Sequence, residues 1–134
     1  MLDGIRAFAR KRVSFAFETT LSGRGYVKLF GELNKKGYEI HIFFLWVSTV
    51  DLALSRVRER VLRGGHDVPE AVVRRRFERL MRNFLAYYRP LADSWTLFDN
   101  SGEAPSVIAV EDNRSVRIIN KDVYGAVVER FGVL

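Results

Sequence analysis

The residues of this sequence best suited to chemistry are its arginines. Ten arginines, no lysine and four acidic residues lie between residues 55 and 89, and the rest of the chain has equal numbers of basic and acidic residues. The net charge of +6 therefore resides in this segment. A planar guanidinium group pairs with phosphate or carboxylate through two parallel hydrogen bonds, which an ammonium group cannot do. The segment predicts a polyanionic partner: a nucleotide, a phosphorylated sugar or a nucleic acid.

Helical periodicity sorts these arginines by the direction in which they point. The buried stripe of the second predicted helix in the segment consists of apolar residues: Val73, Phe77, Leu80, Met81, Phe84 and Tyr88. Three arginines fall opposite that stripe and are expected in solvent: Arg75, Arg79 and Arg82. Arg74 and Arg76 lie at its flanks. In the preceding helix, Arg58 and Arg60 lie at the flanks, whereas Arg56 and Arg63 point away from the core. A side chain at a flank can reach a neighbouring cleft.

Polar residues elsewhere give three further candidates. Glu18, with Thr19 and Thr20 beside it, comes at the predicted carboxyl end of a strand, where open α/β sheets bind ligands. The alternative for Glu18 is an ordinary strand-end acid paired with an arginine. His66, in a Gly-Gly-His-Asp turn, either closes over phosphates at a mobile tip or caps nearby backbone. Asn100 follows a strand, but its turn is explained equally by the turn preference of Asn, Ser and Gly.

The pattern of apolar residues predicts the elements that must position these groups. We expect helices at 26–36, 50–62, 67–88 and 121–131, strands at 14–20, 39–47 and 95–98, and a hairpin of 106–110 with 116–119. The strand at 39–47 is almost entirely apolar, as expected where both faces of a parallel sheet are covered. The first strand, helix and strand form a βαβ unit, which places the chain in the α/β class. The expected helix caps are Ser48 or Thr49 for the second helix, Asp67 for the third and Asn120 for the last.

Length and composition bound the class of protein. With 134 residues, 48% of them hydrophobic, the chain is expected to be a single domain spanning 1–134. The absence of cysteine excludes disulfides and thiolate chemistry, and with two histidines we expect no metal site. His41 is expected to be a hydrogen-bonded core or sheet-edge residue. No apolar run is long enough to span a bilayer and no secretory signal is present, so we expect a cytoplasmic protein.

Three separated strings then carry a resemblance: FAFETTLSGRGY, RVRERVLRGGHDVPEAVVRRRFERL and LADSWTLFDNSGEAP. In this order they resemble bacterial proteins of the zeta toxin type, which are P-loop kinases related to nucleoside monophosphate kinases and UDP-N-acetylglucosamine kinase. The resemblance covers about 14–105. It implies an ATP-dependent phosphotransferase with a P-loop kinase-like parallel sheet, flanking helices and a helical lid at about 55–89.

The resemblance also implies roles for individual residues. Arg60, Arg75 and Arg76 match the lid arginines that contact the transferring phosphate. Periodicity supports Arg60 and Arg76 as well, so these two are the expected catalytic arginines. Glu18 is implied to lie at the site near the acceptor hydroxyl or a magnesium-bound water, with Thr19 and Thr20 binding substrate. Arg75, His66 and Asn100 are the expected nucleotide-binding residues, the last of them near adenine.

One departure from the family concerns the phosphate loop, because no GxxxxGK[ST] motif occurs in the sequence. In such kinases a strand, this loop and a catalytic aspartate come first, so all of them would precede Met1 and the chain would be the C-terminal portion of a kinase. The family implies ATP and Mg²⁺, a nucleotide and a small phosphate acceptor. Without the loop we expect this chain to bind no cofactor by itself and to be inactive alone. Unpaired strand edges would then predict a homodimer.

Two alternatives from other classes stay open. The first is a non-catalytic remnant that binds another protein, such as an antitoxin-like partner. The second is a polyanion-binding module that uses the arginine-rich helices. The sequence has no recognised DNA- or RNA-binding motif and its aromatics fall on buried stripes, so neither nucleic acid nor a membrane is the expected partner.

Overall fold

The computed structural model describes residues 2–19, 21 and 23–132 of the chain. Within them, five α-helices form: α1 (Leu2–Lys11), α2 (Gly25–Lys35), α3 (Val50–Leu62), α4 (Glu70–Asn83) and α5 (Lys121–Phe131). Four strands form one sheet: β1 (His41–Trp46), β2 (Ser94–Asp99), β3 (Ser106–Asp112) and β4 (Ser115–Ile118). The α/β class predicted from the sequence is therefore confirmed.

The sheet runs in the order β1-β2-β3-β4 and is mixed. β1 pairs with β2 in parallel, from His41 opposite Ser94 to Trp46 opposite Asp99, whereas the β2–β3 and β3–β4 pairs are antiparallel. The predicted parallel sheet thus holds for one pair of strands. The crossover between β1 and β2 contains α3 and α4, so both helices follow the carboxyl end of β1.

The predicted strand at 14–20 is wrong, because residues 13–19 adopt neither helix nor strand. Their aromatics pack instead: Phe15 stacks on Phe8 at 5.4 Å, and Phe17 stacks on Tyr26 at 5.5 Å, between ring centroids. The apolar content that resembles a strand is therefore satisfied by contact with α1 and α2. Without this strand, the predicted βαβ unit does not form.

The main core lies between β1, β2 and β3 and helices α2, α4 and α5. Its fully buried members include Trp95, Leu97, Ile108, Met81 and Phe131. Phe84 and Tyr88, both buried, lie in a π-helical turn (Phe84–Tyr88) that continues α4 to the predicted end. No helix of the described residues is long and apolar enough to cross a membrane.

Burial alternates along β1, which corrects the expectation that both of its faces are covered. Ile42, Phe44 and Trp46 are buried, whereas the side chains between them are exposed, Phe43 to 73% and Leu45 to 56%. One face of the strand packs on the core and the other carries an apolar stripe at the surface.

The helix caps are partly those expected. Thr49 accepts a hydrogen bond from the Leu52 amide at 3.2 Å, and Asn120 accepts one from the Val123 amide at 3.1 Å. The predicted cap at Asp67 is wrong: α4 begins at Glu70, and Pro69 stands at its N-cap without a side-chain hydrogen bond. The first turn of α4 closes instead through the backbone, because the Val72 and Val73 amides donate to the Pro69 carbonyl oxygen at 3.0 and 3.1 Å.

Candidate functional site

A cleft of about 580 Å³ opens where α3, α4 and the carboxyl end of β1 meet. β1 contributes its last residues, Leu45 and Trp46, and Asn100 enters from the turn after β2. The carboxyl ends of two parallel neighbours therefore border the cleft, which is where α/β sheets place their ligands.

The lining of the cleft combines apolar and cationic side chains. Five side chains of α3 and α4 provide apolar lining: Ala53, Val57, Val73, Phe77 and Leu80. Among the described residues, four arginines line the cleft: Arg56, Arg60, Arg63 and Arg76. Glu59 is the one acid of this described lining. Guanidinium groups stay protonated at any physiological pH, so the lining carries a net charge of +3. Such a cleft suits a ligand with an anionic and an apolar part.

Three of these arginines form a stripe along α3. Arg56, Arg60 and Arg63 are spaced four and then three residues apart, which puts them on one face of the helix. Arg76 reaches the same cleft from α4. The two helices thus bring guanidinium groups to one cavity.

The turn after α3 requires its two glycines. Gly64 has φ +92°, a left-handed conformation that side chains rarely adopt. A Cβ atom on Gly65 would lie 2.9 Å from the Arg60 carbonyl oxygen, to which the Gly65 amide donates a hydrogen bond of 2.7 Å. The glycine pair therefore closes the end of α3 tightly beneath the arginine stripe.

The arginine side chains of the two helices differ in whether they form hydrogen bonds or ion pairs with other residues of the protein. Arg56 donates to the Gly102 carbonyl oxygen at 3.3 Å. Arg74 lies outside the cleft and pairs with Glu70 at 2.8 Å and with Asp51 at 4.0 Å, which joins α4 to α3. Within the described part of the chain, the side chains of three cleft arginines make no hydrogen bond or ion pair: Arg60, Arg63 and Arg76. Their donors are free for a ligand.

A network of backbone contacts fixes the turn that carries Asn100. The Asn100 amide donates to the Trp46 carbonyl oxygen at 2.6 Å, and the Ser101 hydroxyl accepts from the Ser48 amide at 2.9 Å. Asp99 accepts from the Ser101 amide at 3.0 Å, as in an Asx turn. The turn is thus tied to the β1–α3 junction, which holds Asn100 at the cleft.

The predicted site residues separate into two groups. Arg60, Arg76 and Asn100 line the cleft together. Glu18, Thr19, Arg75 and His66 are exposed and do not line it, and Thr20 lies outside the described residues. The Thr19 hydroxyl accepts a hydrogen bond from the Leu21 amide at 3.3 Å. The roles predicted for all of these residues stay predictions.

The end of α4 fixes the loop that follows Thr19. The Asn83 side-chain amide donates to the Leu21 carbonyl oxygen at 3.2 Å, and the Tyr88 hydroxyl donates to the Gly23 carbonyl oxygen at 2.7 Å. Burial raises the pKa of the Tyr88 hydroxyl, which therefore stays protonated as the donor. The arginine-bearing helix and the loop beside Glu18 are in this way joined through one π-helical turn.

Sequence reasoning missed Arg56 and Arg63, which were expected to point away from the core. The signal was present in their spacing relative to Arg60. The predicted direction of each arginine side chain was taken relative to the apolar stripe of α3 alone. The cleft, however, lies where α3 faces α4, so the residues that line it depend on how the two helices pack.

Two other observations complete the site. His41, at the sheet edge, contacts Ser94 Oγ at 2.6 Å and Glu39 Oε2 at 3.3 Å, so the hydrogen-bonded histidine that was expected is confirmed. Among the described residues, no group of three His, Asp or Glu side chains is arranged to hold a metal ion.

Comparison with known proteins gives a family match over most of the chain. The family described as Zeta toxin matches residues 5–123. An uncharacterized protein of Haemophilus influenzae is 31% identical over 75 residues, which is 55% of this chain and 54% of that protein. The chain thus spans about half the length of this relative. No solved structure matches the chain significantly.

Proposed function

The chain belongs to the zeta toxin family, and on that basis we propose that its cleft binds the phosphate groups of ATP, or of a phosphorylated acceptor, during phosphoryl transfer. The observation that carries this proposal is the pair Arg60 and Arg76, whose guanidinium groups enter one cleft from two helices with no protein partner among the described residues.

Unpaired arginines in a cleft are what phosphoryl transfer requires. The transferred group carries its negative charge on peripheral oxygens, and positioned guanidinium groups stabilise that charge through short, charge-assisted hydrogen bonds. An arginine already paired with a carboxylate, as Arg74 is with Glu70, would first have to break that pair. Arg60 and Arg76 have no such cost, which supports them over Arg74 as phosphate-binding residues.

The apolar residues that line the cleft favour a ligand larger than a phosphate ion. Phe77 and Leu80 of α4, with Val57 of α3, offer a surface for the uncharged part of a nucleotide or nucleotide sugar. Asn100 adds a side-chain amide to the lining, where it can donate to and accept from a polar ligand group.

The absence of a GxxxxGK[ST] motif from the sequence limits what the chain does by itself. That motif supplies backbone amides and a lysine to the β- and γ-phosphates, together with the hydroxyl that binds magnesium. We therefore propose weak ATP binding by this chain, with a Kd of about 1 mM or above, and no phosphoryl transfer without a phosphate loop from elsewhere.

The proposal is tested by titrating the chain with ATP and monitoring the binding by NMR. Arg60→Ala and Arg76→Ala should each weaken binding about tenfold, since a hydrogen bond to a charged group contributes about 1.5 to 3 kcal/mol. Arg79→Ala is the matched control, because Arg79 is an exposed arginine of α4 outside the cleft. Micromolar binding by the unmodified chain would contradict the role given to the absent motif. Equal losses from Arg79→Ala and Arg76→Ala would contradict the site.

A further inference from the structure

A third arginine shares the surroundings of Arg60 and Arg76. Arg63 lies in the cleft lining at the end of α3, one turn beyond Arg60 on the same face. Arg75, which the family resemblance singled out beside Arg76, is exposed and does not line the cleft.

An arginine at this position could also serve to cap the C-terminus of α3, because basic side chains near a helix C-terminus often bind the last carbonyl groups. Here backbone amides already bind three of the last four: the Arg63, Gly64 and Gly65 amides donate to the carbonyl oxygens of Glu59, Val61 and Arg60 at 3.2, 3.0 and 2.7 Å. The Arg63 side chain makes no hydrogen bond or ion pair with any described residue. The guanidinium group is therefore not used as a hydrogen-bonding cap of the helix end.

The one acid in the cleft does not neutralise it either. Glu59 lies four residues before Arg63 and lines the same cavity, yet no nitrogen of Arg63 comes within 4.0 Å of its carboxylate. In contrast, Arg74 and Glu70, at the same spacing on α4, do form an ion pair. Arg63 thus remains available where a pairing partner is close in sequence.

We infer that Arg63 is a third anion-binding residue of the cleft and that three guanidinium groups select a chain of linked phosphates over a single phosphate. Arg63 lies three residues beyond Arg60, which is about 4.5 Å further along the helix axis. A linked polyphosphate presents acceptor oxygens over a greater length than a single phosphate, so it can engage arginines that are spaced along the helix. This inference rests on the proposed function, since it takes the cleft as a phosphate site.

The test compares two inorganic probes on the full chain, orthophosphate and tripolyphosphate, by NMR titration at low ionic strength. Tripolyphosphate should bind at least about tenfold more tightly than orthophosphate, because it engages more charge-assisted contacts. Arg63→Ala should lower tripolyphosphate affinity about fivefold and change orthophosphate affinity less than about twofold. Arg79→Ala, the matched control from α4 outside the cleft, should change neither. Arg75→Ala examines the arginine that the family resemblance singled out. Arg63→Lys should recover part of the loss, because it keeps the charge but not the planar fork.

The outcomes separate this inference from the proposed function. If Arg60→Ala and Arg76→Ala weaken tripolyphosphate binding but Arg63→Ala does not, the third contact is wrong and the phosphate site stands. If neither probe binds, both are wrong. If Arg75→Ala has the effect expected of Arg63→Ala, the family pattern and not the cleft lining identifies the third arginine, and the inference fails. Because Arg63 is exposed and its backbone carries the contacts at the helix end, a loss of folding is not expected from its substitution.

Discussion

At the scale of single residues, the important difference is between arginines that the protein uses and arginines that it leaves free. Arg74 and Arg130 pair with glutamates at 2.8 Å, and Arg56 binds a carbonyl group, so these side chains contribute to structure. Exposed ion pairs of this kind contribute about 0 to 1 kcal/mol each. Arg60, Arg63 and Arg76 contribute charge to a cavity instead, which is of use to a ligand and not to folding.

Tyr88 gives a prediction about pH at this scale. Burial raises the pKa of its hydroxyl, so above about pH 10 the unfolded chain loses this proton while the folded chain keeps it. The unfolded state then binds fewer protons, and the free energy of unfolding falls as pH rises through this range. Tyr88→Phe should cost about 1 kcal/mol at pH 7 through its lost hydrogen bonds, and the difference should shrink above pH 10.

Urea denaturation of the two proteins between pH 7 and about pH 11 measures this effect. Other tyrosines and lysines titrate in both proteins, so the difference between the two curves isolates Tyr88. A difference that stays constant from neutral to high pH would show that the folded and unfolded states ionise Tyr88 alike, against the expected effect of burial.

Arg60, Arg76 and Asn100 were predictable from sequence because each combines a suitable residue type with a favourable local position. Two of them flank an apolar stripe and the third follows a strand. Arg63 was not predictable in that way, because its orientation depends on how α3 packs against α4. The strand predicted around Phe15 and Phe17 was wrong for a related reason. The composition of this segment suits a strand, but a strand forms only where a neighbouring strand pairs with it, and composition does not show whether one is present.

At the scale of elements, α3 and the first turns of α4 share a small hydrophobic core of their own. Leu54 and Val57 of α3 pack with Val73 of α4 in a cluster separate from the main core, whereas Phe77 and Met81, further along α4, belong to the main core. The segment predicted as a lid, 55–89, therefore contains a part that packs with the sheet. We expect the part that moves to be α3 and the first turns of α4.

Leu54→Ala tests this division. Leu54 is buried in the small cluster, and removing its side chain should cost about 2 to 4 kcal/mol locally. Hydrogen exchange should then become faster at amides of α3 and early α4, with little change at amides of β2.

The control for this experiment is Leu97→Ala, in the centre of the main core. It should speed exchange in all of these elements, because it destabilises the sheet on which the rest packs. If Leu54→Ala also speeds exchange evenly across the sheet, α3 and the sheet form one cooperative unit, and a separately moving lid is wrong.

At the scale of the whole molecule, the outer edge of β1 and its exposed stripe predict self-association. β1 is the last strand on its side of the described sheet, and Phe43 and Leu45 lie exposed on it, with the Phe98 ring 6.4 Å from that of Phe43. An unpaired, apolar strand edge favours pairing with another strand, and symmetric dimers are the commonest oligomers. We expect a homodimer through β1.

Light scattering at several protein concentrations tests this expectation, with hydrogen exchange on the same samples. The mass should rise towards that of a dimer as concentration increases, and Phe43→Lys should keep the chain monomeric by placing a charge on the edge strand. A monomer at every concentration, with well-protected β1 amides, would contradict the expected dimer.

Free guanidinium groups of α3 and α4 are proposed to bind phosphate in one cleft. NMR of the arginine side-chain Nε–H groups during addition of ATP measures this binding at each residue. A phosphate oxygen that accepts from a guanidinium group shifts that group's resonance, so each arginine reports its own contact. We expect the resonances of Arg60 and Arg76 to shift with one common saturation curve while those of Arg74 and Arg79 stay in place. Shifts spread evenly over all exposed arginines, or confined to residues outside the cleft, would contradict the proposed binding.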